Sequence, residues 1–339
     1  MLSLGATVDG RVWGGSQDDL LHINILAPTG SSISNRVGDL QTLDHIEAHD
    51  TVTVFEAWYQ HNFSSSGFKL RGGLLDYNAQ FDVLDSAGVF LNRSFGLDPS
   101  IAQVPVPTYA VTTLDATLRW DGASGVYAQA GVYDGTPGLP VHPNGTHVDF
   151  SSDAGVLSVV EVGLAGSGSK PYKLAVGGWY NTRTYENLAG NTSDRNHGEY
   201  LIGERRLLGD DEHLPMVDAF FQLGHADTQR NPLDGYIGGG LNVTGLWAVR
   251  PQDVLGLGVA SAHTSKLFRR TAATARPAET SVELTYSLPV NAYLNIHPDL
   301  QYIFNPGADA RIDHALVVGV RVVLSAGLFS SISPVTPSK

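Results

Sequence analysis

Charged and aromatic side chains alternate along two neighbouring segments of the chain. Glu56 and Trp58 share one phase of the first segment, and Lys69 and Arg71 share one phase of the second. Trp179 lies further along, in the same phase as charged neighbours. An aromatic ring can stack on the C–H face of a sugar while guanidinium and carboxylate groups hydrogen-bond its hydroxyls. These residues therefore indicate non-covalent sugar binding, with the alternative that the charges only pair with one another.

The same polar phase continues through later segments. It adds eight candidate lining residues: Asp115, Arg119, Glu161, Lys173, Glu204, Arg206, Asp299 and Arg321. With Asp218, Glu279 and Glu283 included, the polar phase carries six cations and eight carboxylates. A channel lined by charges this close to balance is expected to discriminate weakly between ions of opposite sign.

Catalytic and metal-binding patterns are weak. Glu279 and Glu283 lie four positions apart in a predicted strand, hence about 13 Å apart, too far for the carboxyl pair of a glycosidase. His142 and His147 could bind a metal, but no further ligand follows at a typical spacing. We therefore expect a non-enzymatic protein without a metal or cofactor, and keep a barrel enzyme as an alternative.

Long β-strands must position these residues, because the hydrophobic period is two along nearly the whole chain. Val318, Val320 and Val322, for example, share one face and oppose Arg321. About fifteen strands can be distinguished, many near ten residues, which is long for a globular protein but typical of an outer-membrane barrel. Short turns rich in Gly and Ser alternate with longer connections such as 182–198. This pattern predicts an all-β, closed, antiparallel transmembrane β-barrel of about 16 strands, with 14–16 in this chain.

The faces of the strands favour a membrane barrel over a soluble β fold. The apolar faces carry almost no charge, and in hydrocarbon a sheet must close so that every backbone polar group is paired. Aromatic residues that could form interfacial girdles lie near the ends of these faces: Trp120, Tyr172, Tyr180, Trp247, Tyr286 and Tyr302. The predicted partners are therefore outer-membrane lipid outside and small carbohydrate solutes inside.

Composition excludes several classes of protein. Charged residues make up 16% of the chain, against about 25% in an ordinary soluble domain. The net charge of -13 argues against a nucleic-acid partner. The absence of cysteine excludes disulfides and thiolate metal sites. No apolar run approaches the roughly 18 residues of a membrane helix, and no secretory signal is visible.

One barrel domain over residues 1–324 is the simplest organisation. Within it, the long segment 77–107 has mixed apolar content and is expected to fold inward as a constriction loop. Residues 325–339 form a C-terminal tail that could be disordered.

Six segments, in matching order, resemble the OprB-type carbohydrate-selective porins: Val54–Gln60, Leu70–Asp76, Phe90–Gly96, Ala130–Gly135, Gly177–Tyr180 and Pro298–Gly307. The last is the most specific, and the resemblance spans roughly residues 20–324. The chain departs from the family in the shorter region before residue 20 and in the tail after the last strand.

The resemblance implies a barrel of about 16 strands, monomeric, in the outer membrane of a Gram-negative bacterium. It also implies passive diffusion of glucose-type mono- or oligosaccharides through a constriction of Arg and acidic side chains. Arg71 and Glu56 are the positions that carry over from the family. Because some family members belong to polysaccharide or sugar-oxidation loci, polysaccharide export is an alternative function.

Overall fold

A computed structural model describes residues 1–135, 155–190, 193–210 and 212–327. Within these ranges, fifteen strands follow one another in chain order in a single sheet, each antiparallel to the next. They are β1 Leu2–Asp9, β2 Asp19–Ala27, β3 Thr53–Phe63, β4 Phe68–Leu75, β5 Thr113–Asp121, β6 Val126–Asp134, β7 Val156–Gly166, β8 Tyr172–Glu186, β9 Ser193–Asp210, β10 His213–Ala226, β11 Leu233–Thr244, β12 Val254–Thr264, β13 Ala278–Asn291, β14 Leu294–Phe304 and β15 Ala315–Leu324. The predicted all-β antiparallel architecture and the strand number are confirmed.

Helical structure is confined to the connections. The α-helices described are α1 Ser34–Val37, α2 Pro99–Ala102 and α3 Lys266–Thr271, and short 3-10 turns include Asp85–Val89 and Arg93–Phe95. In the part of the chain that the structure describes, no helix is both long and apolar enough to cross a membrane.

The predicted connection 182–198 is wrong, because most of it belongs to two strands. β8 continues to Glu186 and β9 starts at Ser193, with Tyr185 opposite Asp194 in the ladder. This hairpin tip is polar on both faces, so it lacks the apolar alternation by which strands are recognised in sequence. His142, His147 and the tail from residue 328 onward lie outside the described residues.

The faces of the sheet have the predicted orientation. Val318 is 75% exposed, and Val320 and Val322 are exposed on the same face of β15. On β7, Val160 is 59% exposed whereas the adjacent Glu161 is 1% exposed. Apolar side chains thus point outward and charged ones inward, opposite to a soluble β fold.

Tyrosine rings and glycines alternate on the inner face. Tyr127 lies against Gly163 and Tyr200 against Gly177, where a Cβ atom would come within 2.5 Å and 2.1 Å of the respective ring. Glycine is therefore required on one strand so that the ring from the next strand can lie flat against the wall. The inner face is lined by close-packed aromatic residues as well as charges.

Two long connections at the same end of the sheet fold into the space that it encloses. We call residues 28–52 the first lumen loop and residues 76–112 the second lumen loop. The first leaves β2 but reaches β14 and β15, where Gln301 donates to the carbonyl of Leu43 at 2.7 Å and Arg321 pairs with Asp44. Both ends of the sheet therefore surround one lumen, and the sheet is rolled into a barrel.

The second lumen loop packs across the opposite wall. Its short helix α2 contacts β10 and β11, and its side chains Phe81, Phe90 and Phe95 are buried. The interior of the barrel is thus largely occupied by its own loops, and open lumen lies where neither loop covers the wall.

Candidate functional site

Polar side chains of β2, β3 and β4 form a contiguous group on the inner wall, centred on Trp58. The ring of His22 stacks on Trp58 with centroids 4.9 Å apart, and Arg71 places its Cζ atom 4.1 Å from the Trp58 ring centroid. Because β2 and β4 lie on opposite sides of β3, His22 and Arg71 approach the indole from opposite sides. Gly73, opposite Trp58 in the ladder, has φ +137° and no space for a Cβ, whose nearest atom would be 2.2 Å away.

Two further residues complete this group, which we call the Trp58 cluster (His22, Glu56, Trp58, Gln60 and Arg71). Trp58 donates its Nε1 proton to Glu56 Oε1 at 3.2 Å, and Arg71 donates Nε to Gln60 Oε1 at 2.9 Å. The faces of the indole are used within the protein, so the surface offered to a solute is the polar edges of the surrounding side chains.

A second basic group adjoins the cluster on β4 and β5. Lys69 and Arg119 are ladder partners and both form ion pairs with Asp121, at 2.9 Å and 2.8 Å. Arg119 also lies over Tyr127, with Cζ 4.1 Å from the ring centroid. The structure therefore brings together Lys69, Arg71 and Arg119, which the sequence analysis named separately.

Glu161 does not face the open lumen as a free charge. It binds the second lumen loop. Its carboxylate accepts hydrogen bonds from Tyr127 Oη at 2.8 Å, Tyr200 Oη at 2.7 Å, Gln129 Nε2 at 2.9 Å and the backbone N–H of Asp82 at 3.1 Å. Four donors on one buried carboxylate fix the loop against β7.

Three other inward carboxylates bind loop backbone in the same way. Each accepts hydrogen bonds from two consecutive loop N–H groups: Glu204 from Asp85 and Ser86, Glu283 from Leu91 and Asn92, and Glu279 from Leu40 and Gln41. Lys173 supplements them by donating Nζ to the carbonyl of Val83 at 2.6 Å. A buried N–H left without its acceptor costs roughly 1–3 kcal/mol, so these four glutamates anchor both loops.

The remaining candidates are not members of the Trp58 cluster. Trp179 is buried in an apolar cluster that includes Phe81 and Ile101, and the partly buried Trp58 packs against that cluster. Asp115 and Asp299 are buried and accept hydrogen bonds from neighbouring side chains, while Arg206 pairs with Asp218 at 2.9 Å and Arg321 pairs with Asp44. All of them point inward, as the alternation in the sequence predicted. That alternation cannot tell whether an inward residue faces the open lumen or is covered by a lumen loop.

The sequence analysis missed two members of the cluster, His22 and Gln60. Each sits in the inward phase of its strand, opposite outward residues such as Tyr59. Their inward position in the alternating pattern was a sufficient signal to select them. An imidazole and a primary amide can hydrogen-bond sugar hydroxyls, as the selected charged residues can.

A buried carboxyl pair lies inside the second lumen loop. The backbone N–H of Asp98 donates to Asp82 Oδ2 at 3.0 Å, and Asp98 caps α2 by accepting from Ser100 N at 2.7 Å. Burial raises the pKa of Asp98 to about 6, against the opposing effect of the Ser100 hydrogen bonds. Burial, and then the charge of Asp98, raises the pKa of Asp82 well above its ordinary value.

The loop should therefore be held more firmly in acid. A carboxyl whose pKa is 3.8 when unfolded and about 6 when folded costs nothing below pH ~4 and carries its full penalty above pH ~6, roughly 2–3 kcal/mol here. Stability of the docked loop is thus expected to fall as pH rises through this window. Hydrogen exchange of loop amides, corrected for the intrinsic rate, should show greater protection at pH ~4.5 than at pH ~7.5.

Asp98→Asn should weaken that pH dependence, because the amide keeps the cap on Ser100 without ionising. Part of the dependence should remain, since burial also raises the pKa of Asp76 and of Asp82 in the same loop. The turn between β11 and β12 provides an internal control in the same samples. An unchanged pH dependence in the variant would assign the effect to other groups.

Comparisons with known proteins agree with this architecture. Residues 1–325 match the family described as "Carbohydrate-selective porin, OprB family". Porin B of Pseudomonas aeruginosa is 24% identical over 240 residues, which cover 60% of this chain and 53% of Porin B. The chain thus spans about half the length of this curated relative.

Solved structures show the same fold. OprB of Pseudomonas putida at high pH superimposes with a TM-score of 0.83 at 19% identity, over 95% of this chain and 86% of that one. The trimer form of OmpT, an outer membrane protein of Vibrio cholerae, gives a TM-score of 0.51 at 13% identity, over 94% and 87%.

These matches identify the sheet as a porin barrel and place it in the Gram-negative outer membrane. The family and fold are those of a channel. The family match covers residues 1–325, and the inner wall and loops form the barrel described above. This chain therefore belongs to the OprB family of carbohydrate-selective porins.

Proposed function

We propose that this barrel lets small sugars of the glucose type, mono- or oligosaccharides, diffuse passively across the outer membrane. The observation that carries this proposal is the Trp58 cluster. It presents guanidinium, imidazole and carboxylate edges side by side on the inner wall, held in place around one indole. The amide of Gln60 is buried and supports Arg71 from behind by accepting its Nε–H. Each hydroxyl of a pyranose can both donate and accept a hydrogen bond, so a mixed set of donor and acceptor edges matches it.

The cluster is suited to transient rather than tight binding. A channel conducts only if its sites bind a solute strongly enough to admit it and weakly enough to release it. A sugar here would contact polar edges without stacking on the indole, since the faces of Trp58 are already covered by His22 and Arg71. Contact through polar edges alone supports passage rather than retention.

The second lumen loop, together with the first, is proposed to set the constriction. Both loops are anchored to inward glutamates, as Glu161 and Glu279 show. A lumen filled in this way favours small solutes over a polysaccharide chain. The monomeric state implied by the family resemblance stays a prediction, which light scattering of the detergent-solubilised protein would test.

Trp58→Ala is expected to weaken sugar block of the ionic current in planar bilayers. Removing the indole takes away the support that orients Arg71 and His22, and an aromatic contact of this kind is worth about 1 kcal/mol, hence about fivefold in sugar affinity. Trp58→Phe should retain most of the block, because a ring still separates the two side chains.

Trp120→Ala is the matched control, since Trp120 lies on the outward face and should leave sugar block unchanged. Equal block by Trp58→Ala and the parent protein would remove the cluster from the sugar path. Absence of any sugar block in the parent would contradict the proposed function.

A further inference from the structure

The inward face carries more carboxylates than cations by number, but several of the carboxylates are buried and not accessible to a solute. Glu161, Glu279 and Glu283 are almost completely buried and accept hydrogen bonds from the lumen loops. Lys69 and Arg119, by contrast, keep 46% and 33% of their side chains exposed. Buried acids bound to backbone contribute little to recognition of a solute. On β4 and β5 themselves, Asp115 is also buried and Asp121 is shared by Lys69 and Arg119, so cations outnumber carboxylates on the accessible part of this wall.

Arg71 is the cation with unused hydrogen-bonding capacity. Its Nε donates to Gln60, while its Nη atoms donate no hydrogen bond, and it has no ion pair, within the described residues. The nearby carboxylate of Glu56 is instead the acceptor for Trp58 and lies 3.8 Å from His22 Nε2. The terminal edge of the guanidinium is therefore available to a ligand.

The accessible carboxylate of β5 does not neutralise Arg71, because it is used by two other cations. Lys69 and Arg119 share the single carboxylate of Asp121. Lys69 lies two positions from Arg71 on the same face, hence about 7 Å away along the strand. Because Asp115 on β5 is buried, three cations stand beside two accessible carboxylates, Asp121 and Glu56, which leaves an excess of positive charge on the accessible part of this wall.

We propose that Arg71 binds the carboxylate of a sugar acid, a monosaccharide that carries one negative charge, as it passes along the Trp58 cluster. This inference rests on the proposed function and narrows its substrate class. A guanidinium presents parallel N–H groups that match a carboxylate, and the pair is stronger than neutral hydrogen bonds. Because Trp58 and Gln60 already hold the guanidinium plane, little conformational freedom is lost on binding. Lys69 and Arg119 would raise the local concentration of the anion.

Glucuronate and glucose are matched probes, since they share the pyranose ring and differ in a carboxylate at one carbon. In planar bilayers, glucuronate should block the current at a concentration on the order of tenfold lower than glucose. Acetate, which has the carboxylate but no ring, should block far less than glucuronate. Arg71→Gln should abolish the preference for glucuronate, and Arg71→Lys should retain part of it through charge alone.

Arg11→Gln controls for net charge, since Arg11 lies in the exposed turn after β1 and pairs only with Asp9 among the described residues. It should keep the full preference. Heat-modifiable migration on gels checks that each variant is folded. If one variant does not fold, the comparison of glucuronate with glucose on the parent protein still tests the inference.

Equal block by glucuronate and glucose would overturn the inference and leave the proposed function intact. Equal block by glucuronate and acetate would also overturn it, because the ring would then contribute nothing. If neither sugar blocks the parent channel, the proposed function itself fails.

Discussion

Deleting residues 80–100 is expected to raise the single-channel conductance several-fold. This segment carries Phe81, Phe90 and Phe95 into the barrel interior, together with the backbone groups that bind Glu204 and Glu283. Replacing it with a short Gly-Ser linker would empty a large part of the lumen, and conductance rises with the open cross-section. Recording in planar bilayers at a fixed salt concentration measures the effect.

Excision of residues 267–270 is the matched control, because they lie in α3, which has no buried residue. It should leave the conductance near that of the parent protein. An unchanged conductance in a folded 80–100 deletion would show that this segment does not limit the pore.

Glu161→Ala is expected to cause the largest loss of stability among single substitutions on the inner wall. It would leave Tyr127 Oη, Tyr200 Oη, Gln129 Nε2 and the N–H of Asp82 without their shared acceptor. Hydrogen bonds to a charged group are worth roughly 1.5–3 kcal/mol each and are not additive, so a loss of about 3–5 kcal/mol is expected. Denaturant unfolding of the protein in lipid vesicles, followed by tryptophan fluorescence, measures this free energy.

The free energy of unfolding of Glu161→Gln should lie between those of the parent protein and Glu161→Ala, because an amide oxygen can accept from only some of these four donors. Glu199→Gln is the control, since Glu199 is largely exposed and pairs only with His225 among the described residues. A Glu161→Ala protein as stable as the Glu199 variant would show that the carboxylate does not anchor the loop.

Local pattern was sufficient for the barrel wall. In a strand, successive side chains point to opposite faces, so the outward Val318, Val320 and Val322 and the inward Arg321 follow from the sequence alone. The same rule placed Glu56, Trp58, Lys69 and Arg71 on one inner surface, because the hairpin of β3 and β4 is short and its pairing is local.

Which inward residues remain available to a solute was decided only by the tertiary structure. Glu161 meets Asp82 and Glu283 meets Leu91 across 79 and 192 positions of chain, and no period of two or three residues records such a contact. Trp58 and Trp179 have the same phase and contact the same apolar cluster, yet Trp58 is only partly buried and supports polar side chains, whereas Trp179 is buried within the cluster. The sequence by itself determined the wall, its faces and its family resemblance, because alternation is a property of neighbouring residues. The path through the barrel depends on where two loops settle inside it, and that position is fixed by hydrogen bonds between residues distant in the chain.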